Sequence, residues 1–187
     1  MRIIAGDFRG HPLVAPRGRA TRPTSDRVRE ALFSILGDVA ELDVLDLFAG
    51  SGALGLEALP RGARHATFVE TAHAAVQAIR ANVESLDVRA RTRLVAGDVR
   101  RALKDVKASG GGIGLVFLDP PYASADTAAV LADLDAAGVL LDGAWIVLEH
   151  ASRTEPPPGT PARTLRFTRT YGDTALTFYR HEAKEAE

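Results

Sequence analysis

Five short apolar runs alternating with helical patterns constrain this chain more than any other feature. The runs are residues 43–48 (DVLDLF), 65–70 (HATFVE), 91–96 (RTRLVA), 113–118 (IGLVFL) and 144–149 (AWIVLE). Helical patterns fill the gaps at 53–60, 72–85, 98–107 and 124–137. In the second, Ala75, Val76, Ile79 and Val83 fall on one stripe, the face a helix needs to cover a sheet. Strands separated by helices are joined by crossovers, so their sheet is mostly parallel. The last two runs, 163–170 and 174–181, are joined by TYGD and read as a hairpin, which closes the sheet with an antiparallel strand. The expected fold class is α/β, one doubly wound domain.

Ahead of this domain, RIIAGDFRGHPLVAP reads as two short strands around a turn at Gly6–Gly10, a small β-hairpin. An arginine-rich link, RGRATRPT, follows; Thr24 or Ser25 can then cap a helix carrying Val28, Ala31, Leu32, Ile35 and Leu36 at helical spacing. The expected division is a basic extension over 1–22, the main domain over 23–182 and a tail over 183–187. Charge is uneven: residues 1–30 hold seven arginines against Asp7, Asp26 and Glu30, although the whole chain is formally −1. Such asymmetry suits either a phosphate-binding face or an ordinary solvated surface. The absence of cysteine excludes a disulfide frame, a thiolate nucleophile and a zinc–cysteine centre. The five histidines show no metal spacing, so no metal is expected. No 18-residue apolar stretch occurs, and Asp7 and Arg9 come too early for a signal peptide, so the expectation is a cytoplasmic monomer with no membrane partner.

Chemistry concentrates at two strand ends. In LDLFAGSGALGLEAL, Gly50, Gly52 and Gly55 have G-x-G-x-x-G spacing between a strand and a helix, where backbone can approach a ligand closely; a tight turn with nothing bound has the same spacing. Glu70 ends the second run, where a carboxylate can accept ribose hydroxyls, and NAD or S-adenosylmethionine (SAM) satisfies it equally. Asp46, four residues before Gly50, would repel a pyrophosphate but attract the amino group of a methionine moiety. Asp98 ends the third run and can accept from an adenine amine, or simply cap the next helix. Three acids beside a glycine turn favour a zwitterionic, adenosine-bearing ligand, which is SAM.

The second strand end is FLDPPY. Pro120 and Pro121 lack backbone N–H groups and fix φ, so Asp119 and Tyr122 flank a stiff turn past the fourth strand. An exocyclic amine on a nucleobase is a poor nucleophile because its lone pair is delocalised into the ring. Two acceptors on its N–H bonds, the Asp119 carboxylate and the Pro120 carbonyl, would draw it toward tetrahedral geometry. Tyr122 offers a face for stacking the base.

DPPY after the fourth strand and DLFAGSG after the first resemble the signature of class I SAM-dependent amino-methyltransferases, whose sheet is Rossmann-like. The opening RIIAGDFRGHPL, then TRPTSDRVREALFSIL and VLDLFAGSGALGLEALPRGA, resembles the bacterial 16S rRNA guanine-N2 methyltransferase family, and the likeness runs nearly end to end. It implies methylation of the exocyclic N2 amine of one guanine in 16S rRNA, with SAM as cofactor. It also implies a catalytic turn of Asp119, Pro120, Pro121 and Tyr122. The implied cofactor site is Asp46, Phe48, Gly50, Ser51, Gly52, Glu70, Asp98 and Val99, with Thr21, Arg22, Pro23 and Thr24 over it. Phosphate contacts are expected from Arg2, Arg9, Arg17, Arg19, Arg22, Arg27 and Arg29, weakening as salt rises. Members of that family are often basic, and this chain is not. No insertion is large enough for a separate sequence-reading region, so the expected substrate is an assembled or assembling small ribosomal subunit. Adenine N6 in DNA, a protein glutamine, and a non-catalytic NAD-binding module remain the alternatives.

Overall fold

The computed structural model describes residues 1–16, 24–110, 112–120 and 127–182. Arg17, Arg19, Thr21, Arg22, Pro23, Pro121, Tyr122, the first residues of the 124–137 helix and the 183–187 tail lie outside the described residues.

Seven strands form one sheet: β1 (Asp43–Leu47), β2 (His65–Glu70), β3 (Thr92–Ala96), β4 (Ile113–Leu118), β5 (Leu140–Ala151), β6 (Arg163–Tyr171) and β7 (Thr174–His181). Their order is β3-β2-β1-β4-β5-β7-β6. The first five are parallel, and β7 runs antiparallel to both β5 and β6. Strand order reverses direction between β1 and β4, the point at which ligands bind open α/β sheets, outside the carboxyl ends of the strands. Both chemistry-bearing turns leave the sheet there.

Helices α1 (Asp26–Leu36), α2 (Ala53–Ala58) and α3 (His73–Ser85) cover one face, and α4 (Val99–Ala108) and α5 (Thr127–Ala137) the other. Each face has its own core. Leu32, Phe33, Leu56, Phe68, Ile79, Phe117 and Phe178 fill the first, while Leu45, Val69, Leu103, Val116, Leu131 and Tyr179 fill the second. Phe117 and Val116 point to opposite sides because side chains alternate along a strand. Among the described residues no helix is long and apolar enough to cross a membrane.

Two details differ from expectation, and one open alternative resolves. The N-terminal hairpin is reduced to a single bridge, Arg2 opposite Pro12, around a 3-10 turn at Gly6–Phe8. Three backbone hydrogen bonds join the two segments, from Leu13 N–H to Met1 O at 3.0 Å and from Ile3 N–H to His11 O and Gly10 N–H to Ile3 O at 2.9 Å. Past Ile3 the pairing stops, and the Ile4 and Ala5 N–H groups donate to Glu57 at 2.8 and 3.0 Å instead. Ile3 and Leu13 are nonetheless buried in the same core as α2. At α1, Ser25 is the cap, accepting from Val28 N–H at 3.3 Å, which frees Thr24 for another partner. Finally, β5 is twice the length of its apolar core: solvated residues at 140–143 extend it beside β4.

Candidate active site

The loop after β1 is shaped by positive φ. Phe48, Gly50 and Gly52 sit at +59°, +57° and +77°, a region that glycine enters freely and phenylalanine rarely does. A Cβ on Gly52 would lie 3.2 Å from Phe68 Cε1, and one on Gly55, in the first turn of α2, only 2.5 Å from the same atom. Close packing against β2 therefore requires glycine at both positions. Ser51 is buried in the loop.

Two carboxylates hold this loop. Asp46 is 2% exposed and accepts from Gly55 N–H at 2.9 Å. Burial pushes its carboxyl up to about 8; the Gly55 bond opposes this and the charge of Glu70 adds to it. The expected direct contact between an ionised Asp46 and a ligand ammonium is thus corrected, because the group is sealed beneath α2 and fastens the loop from inside. Glu70, buried at the end of β2, accepts from Gly50 N–H at 2.9 Å through Oε2, and from the Thr71 and Ala72 N–H groups at 2.8 Å through Oε1. A carboxylate has about four acceptor positions, so one remains on the Gly50 side. Asp98, exposed, caps α4 through Arg101 N–H at 2.9 Å, with Val99 buried behind it.

Asp119 follows β4 and is fastened to β1 by its N–H, which donates to Leu47 O at 3.4 Å. Leu118 pairs with Leu148, and both face the core under α4 and α5. One step later Asp119 and Glu149 therefore stand side by side on the opposite face, which also carries Asp46. Burial raises the Asp119 carboxyl well above the usual range, and the neighbouring charges of Glu149 and Asp46 raise it further. Glu149 is 4% exposed and is also raised by burial; the Thr24 hydroxyl, donating to Oε2 at 2.6 Å, opposes that rise. Pro120 is buried.

Sequence reasoning missed Glu149, although the signal was present: AWIVLE ends in an acid at the same rim as Asp46, Glu70, Asp98 and Asp119. It also missed Asn82, the polar member of the buried stripe of α3. Asn82 accepts from Val14 N–H at 2.7 Å and donates to Val14 O at 3.0 Å and Ser51 O at 2.9 Å, joining the N-terminal segment to the glycine loop.

The expected phosphate-binding arginines separate. Arg2, Arg9 and Arg27 are exposed, Arg2 against Asp26 at 3.3 Å. Arg29 is corrected: it is 0% exposed, and its Nη2 donates to Arg2 O and Asp26 Oδ1, both at 2.7 Å. A guanidinium in that position anchors the N-terminus on α1 and presents nothing to an incoming phosphate.

Residues 1–180 match the family described as Conserved hypothetical protein 95. The chain belongs to that family. Similar proteins include the rRNA methyltransferase YlbH of Bacillus subtilis (strain 168), 36% identical over 96% of this chain and 98% of its own length. Ribosomal RNA small subunit methyltransferase D of Escherichia coli (strain K12) is also 36% identical, over 98% of this chain and 91% of its own. Among solved structures, yhhF from Escherichia coli superposes with a TM-score of 0.84 at 36% identity, covering 98% of this chain and 99% of that one. The fold extends at 19% identity to SMU.776, solved in complex with SAH, with a TM-score of 0.63 over 82% of this chain and 48% of that one.

Proposed function

We propose that this protein transfers a methyl group from SAM to the exocyclic N2 amine of a guanine in 16S rRNA, in the assembled or assembling small ribosomal subunit. The observation that carries this is Asp119 and Pro120 beside the glycine loop, fastened to β1 at the switch point of the sheet. The name of the Escherichia coli relative favours small-subunit rRNA as the substrate, and the likeness of the opening segment and DPPY turn favours the guanine amine.

The residues present fit SAM better than a dinucleotide. Burial disfavours ionisation of Asp119 and Glu149, and the neighbouring charges of Glu149 and Asp46 add to this at Asp119. A pyrophosphate would add negative charge to that rim, whereas a cation and carboxyl ionisation favour one another there. Gly50, Gly52, Glu70 and Asp98 would hold the cofactor, Glu70 through its remaining acceptor position and Asp98 through the oxygen not capping α4. SAM supplies an electrophilic methyl group on a sulfonium.

The Asp119 carboxylate and the Pro120 carbonyl accept the two N–H bonds of the amine, localising its lone pair. Asp119 then takes the proton that the methylated nitrogen sheds. Holding amine and methyl donor in near-attack geometry supplies most of the acceleration. Pro121 keeps the turn rigid, and Tyr122 stacks on a base turned out of its strand. Neither a metal nor a covalent enzyme intermediate is needed.

The test supplies methyl-labelled SAM together with bare 16S rRNA, with unmethylated small subunits, or with DNA, then maps the label. We expect label on guanine N2, strongest in subunits. Label confined to DNA adenine, or to a protein, would refute the proposal.

A further inference from the structure

The antiparallel course of β7 returns the last hairpin to the active rim. Ala151 of β5 pairs with Thr174, and Thr174 pairs with Tyr171 at the end of β6. One step inward, Glu149 pairs with Leu176 and Leu176 with Arg169. Leu176 belongs to the core under α1–α3, the face that carries Asp119 and Glu149. Asp119, Glu149, Leu176 and Arg169 thus form one row across four adjacent strands. At about 4.8 Å per strand, Arg169 lies about 14 Å from the base-binding carboxylate.

Arg169 is exposed, and its guanidinium carbon sits 4.8 Å from the centre of the Phe167 ring, with Nη1 donating to Thr168 O at 3.3 Å. A guanidinium resting on an aromatic ring loses little further freedom on binding and keeps its remaining N–H groups for bidentate phosphate recognition. Tyr171, half-buried against the same core, stands next along the strand toward the rim. The hairpin from 163 to 181 carries four arginines against a single acid, Asp173. Exposed Arg153 follows β5 on a loop fastened to the hairpin turn by Ser152 N–H donating to Asp173 O at 2.9 Å.

The base site is lined with buried carboxyls and not with cations, so a strand whose base enters it has its phosphate backbone held outside. We propose that Arg169, flanked by Phe167 and Tyr171, is a docking point for the RNA backbone beside the target nucleotide, a proposal that rests on the RNA reading above.

The test measures binding of bare rRNA and of small subunits to the full chain as salt is raised, for the unaltered protein, Arg169→Ala and Arg169→Lys. An exposed charge contact is worth about fivefold in affinity. Arg169→Ala is expected to weaken both substrates by about that factor and to lower the salt slope by about one, with cofactor affinity and melting temperature unchanged. Arg169→Lys should keep the slope and recover part of the affinity. Equal binding and equal slope for Arg169→Ala would overturn the proposal while leaving the methyltransferase reading intact. Loss on subunits alone, with bare RNA unaffected, would overturn it in favour of a protein contact. Failure of the unaltered protein to bind any RNA would instead remove the RNA reading itself.

Discussion

Thr24 and Glu149, 125 residues apart in the chain, are joined by a hydroxyl-to-carboxylate hydrogen bond of 2.6 Å. The bond draws the start of the main domain over the end of β5, beside Asp119, and gives a buried carboxylate its hydrogen-bond donor among the described residues. Thr24→Val leaves that carboxylate without a donor and should cost roughly 1–3 kcal/mol. Its direction with pH follows from linkage. A carboxyl raised in the fold contributes stability at low pH and loses it as pH climbs through the folded value. Without Thr24 that value rises further, so urea unfolding should show a larger loss at pH 8 than at pH 5. An equal loss at both would mean that the bond does not favour the charged form.

The same sign applies more strongly at Asp46, whose carboxyl is held at about 8 against 3.8 in an open chain. Its contribution is fully present below about pH 4 and lost as pH rises through 8. Asp46→Asn keeps an acceptor for Gly55 N–H and removes the ionisation. It should flatten the decline in stability between pH 5 and 8, gaining roughly 1–3 kcal/mol at the upper end. The variant's stability should track that of the unaltered protein only at about pH 4 and below.

Asp119→Ala and Gly52→Val should fail in different ways. Removing the acceptor carboxylate is expected to lower single-turnover methyl transfer by about 10²–10³-fold, as loss of a transition-state hydrogen-bond partner does, with cofactor affinity retained. Gly52→Val places a branched side chain at φ +77° and 3.2 Å from Phe68, and should abolish cofactor binding. Calorimetry is the suitable measurement, because Trp145, the sole tryptophan, is stacked under Arg180 near the opposite ends of the strands. Comparable loss of cofactor affinity in both variants would show that Asp119 belongs to the cofactor site.

Asn82→Ala should uncouple the N-terminal segment from the glycine loop. Three hydrogen bonds are lost, two of their backbone partners on Val14 and one on Ser51, at a cost of about 2–4 kcal/mol. Glu57→Ala should act at the other end of that segment by freeing the Ile4 and Ala5 N–H groups. Hydrogen exchange would distinguish them: amide protection lost at Val14 in the first and at Ile4 and Ala5 in the second.

The sheet, its helices and the strand ends that carry the two candidate turns were legible because periodicity and punctuation are local properties. DVLDLF followed by AGSGALG and IGLVFL followed by DPP announce a strand end wherever they occur. What sequence could not separate was the fate of like residues. Arg27 and Arg29 read alike, yet the helical angle between them leaves one in solvent and sinks the other under the N-terminus. Asp46 and Asp119 both looked like ligand groups, but α2 closes over the first. Glu149 and Asn82 gain their roles from partners about 70 to 125 residues away, which no local window contains.

Because β7 is threaded antiparallel between β5 and β6, the reversal at Tyr171–Thr174 opens toward the rim that carries Asp119, while the chain enters β6 from the underside. Lengthening the first would add reach over a bound substrate, and lengthening the second would not. The closing hairpin is thereby a natural place for variation in target choice, one that leaves the glycine loop undisturbed.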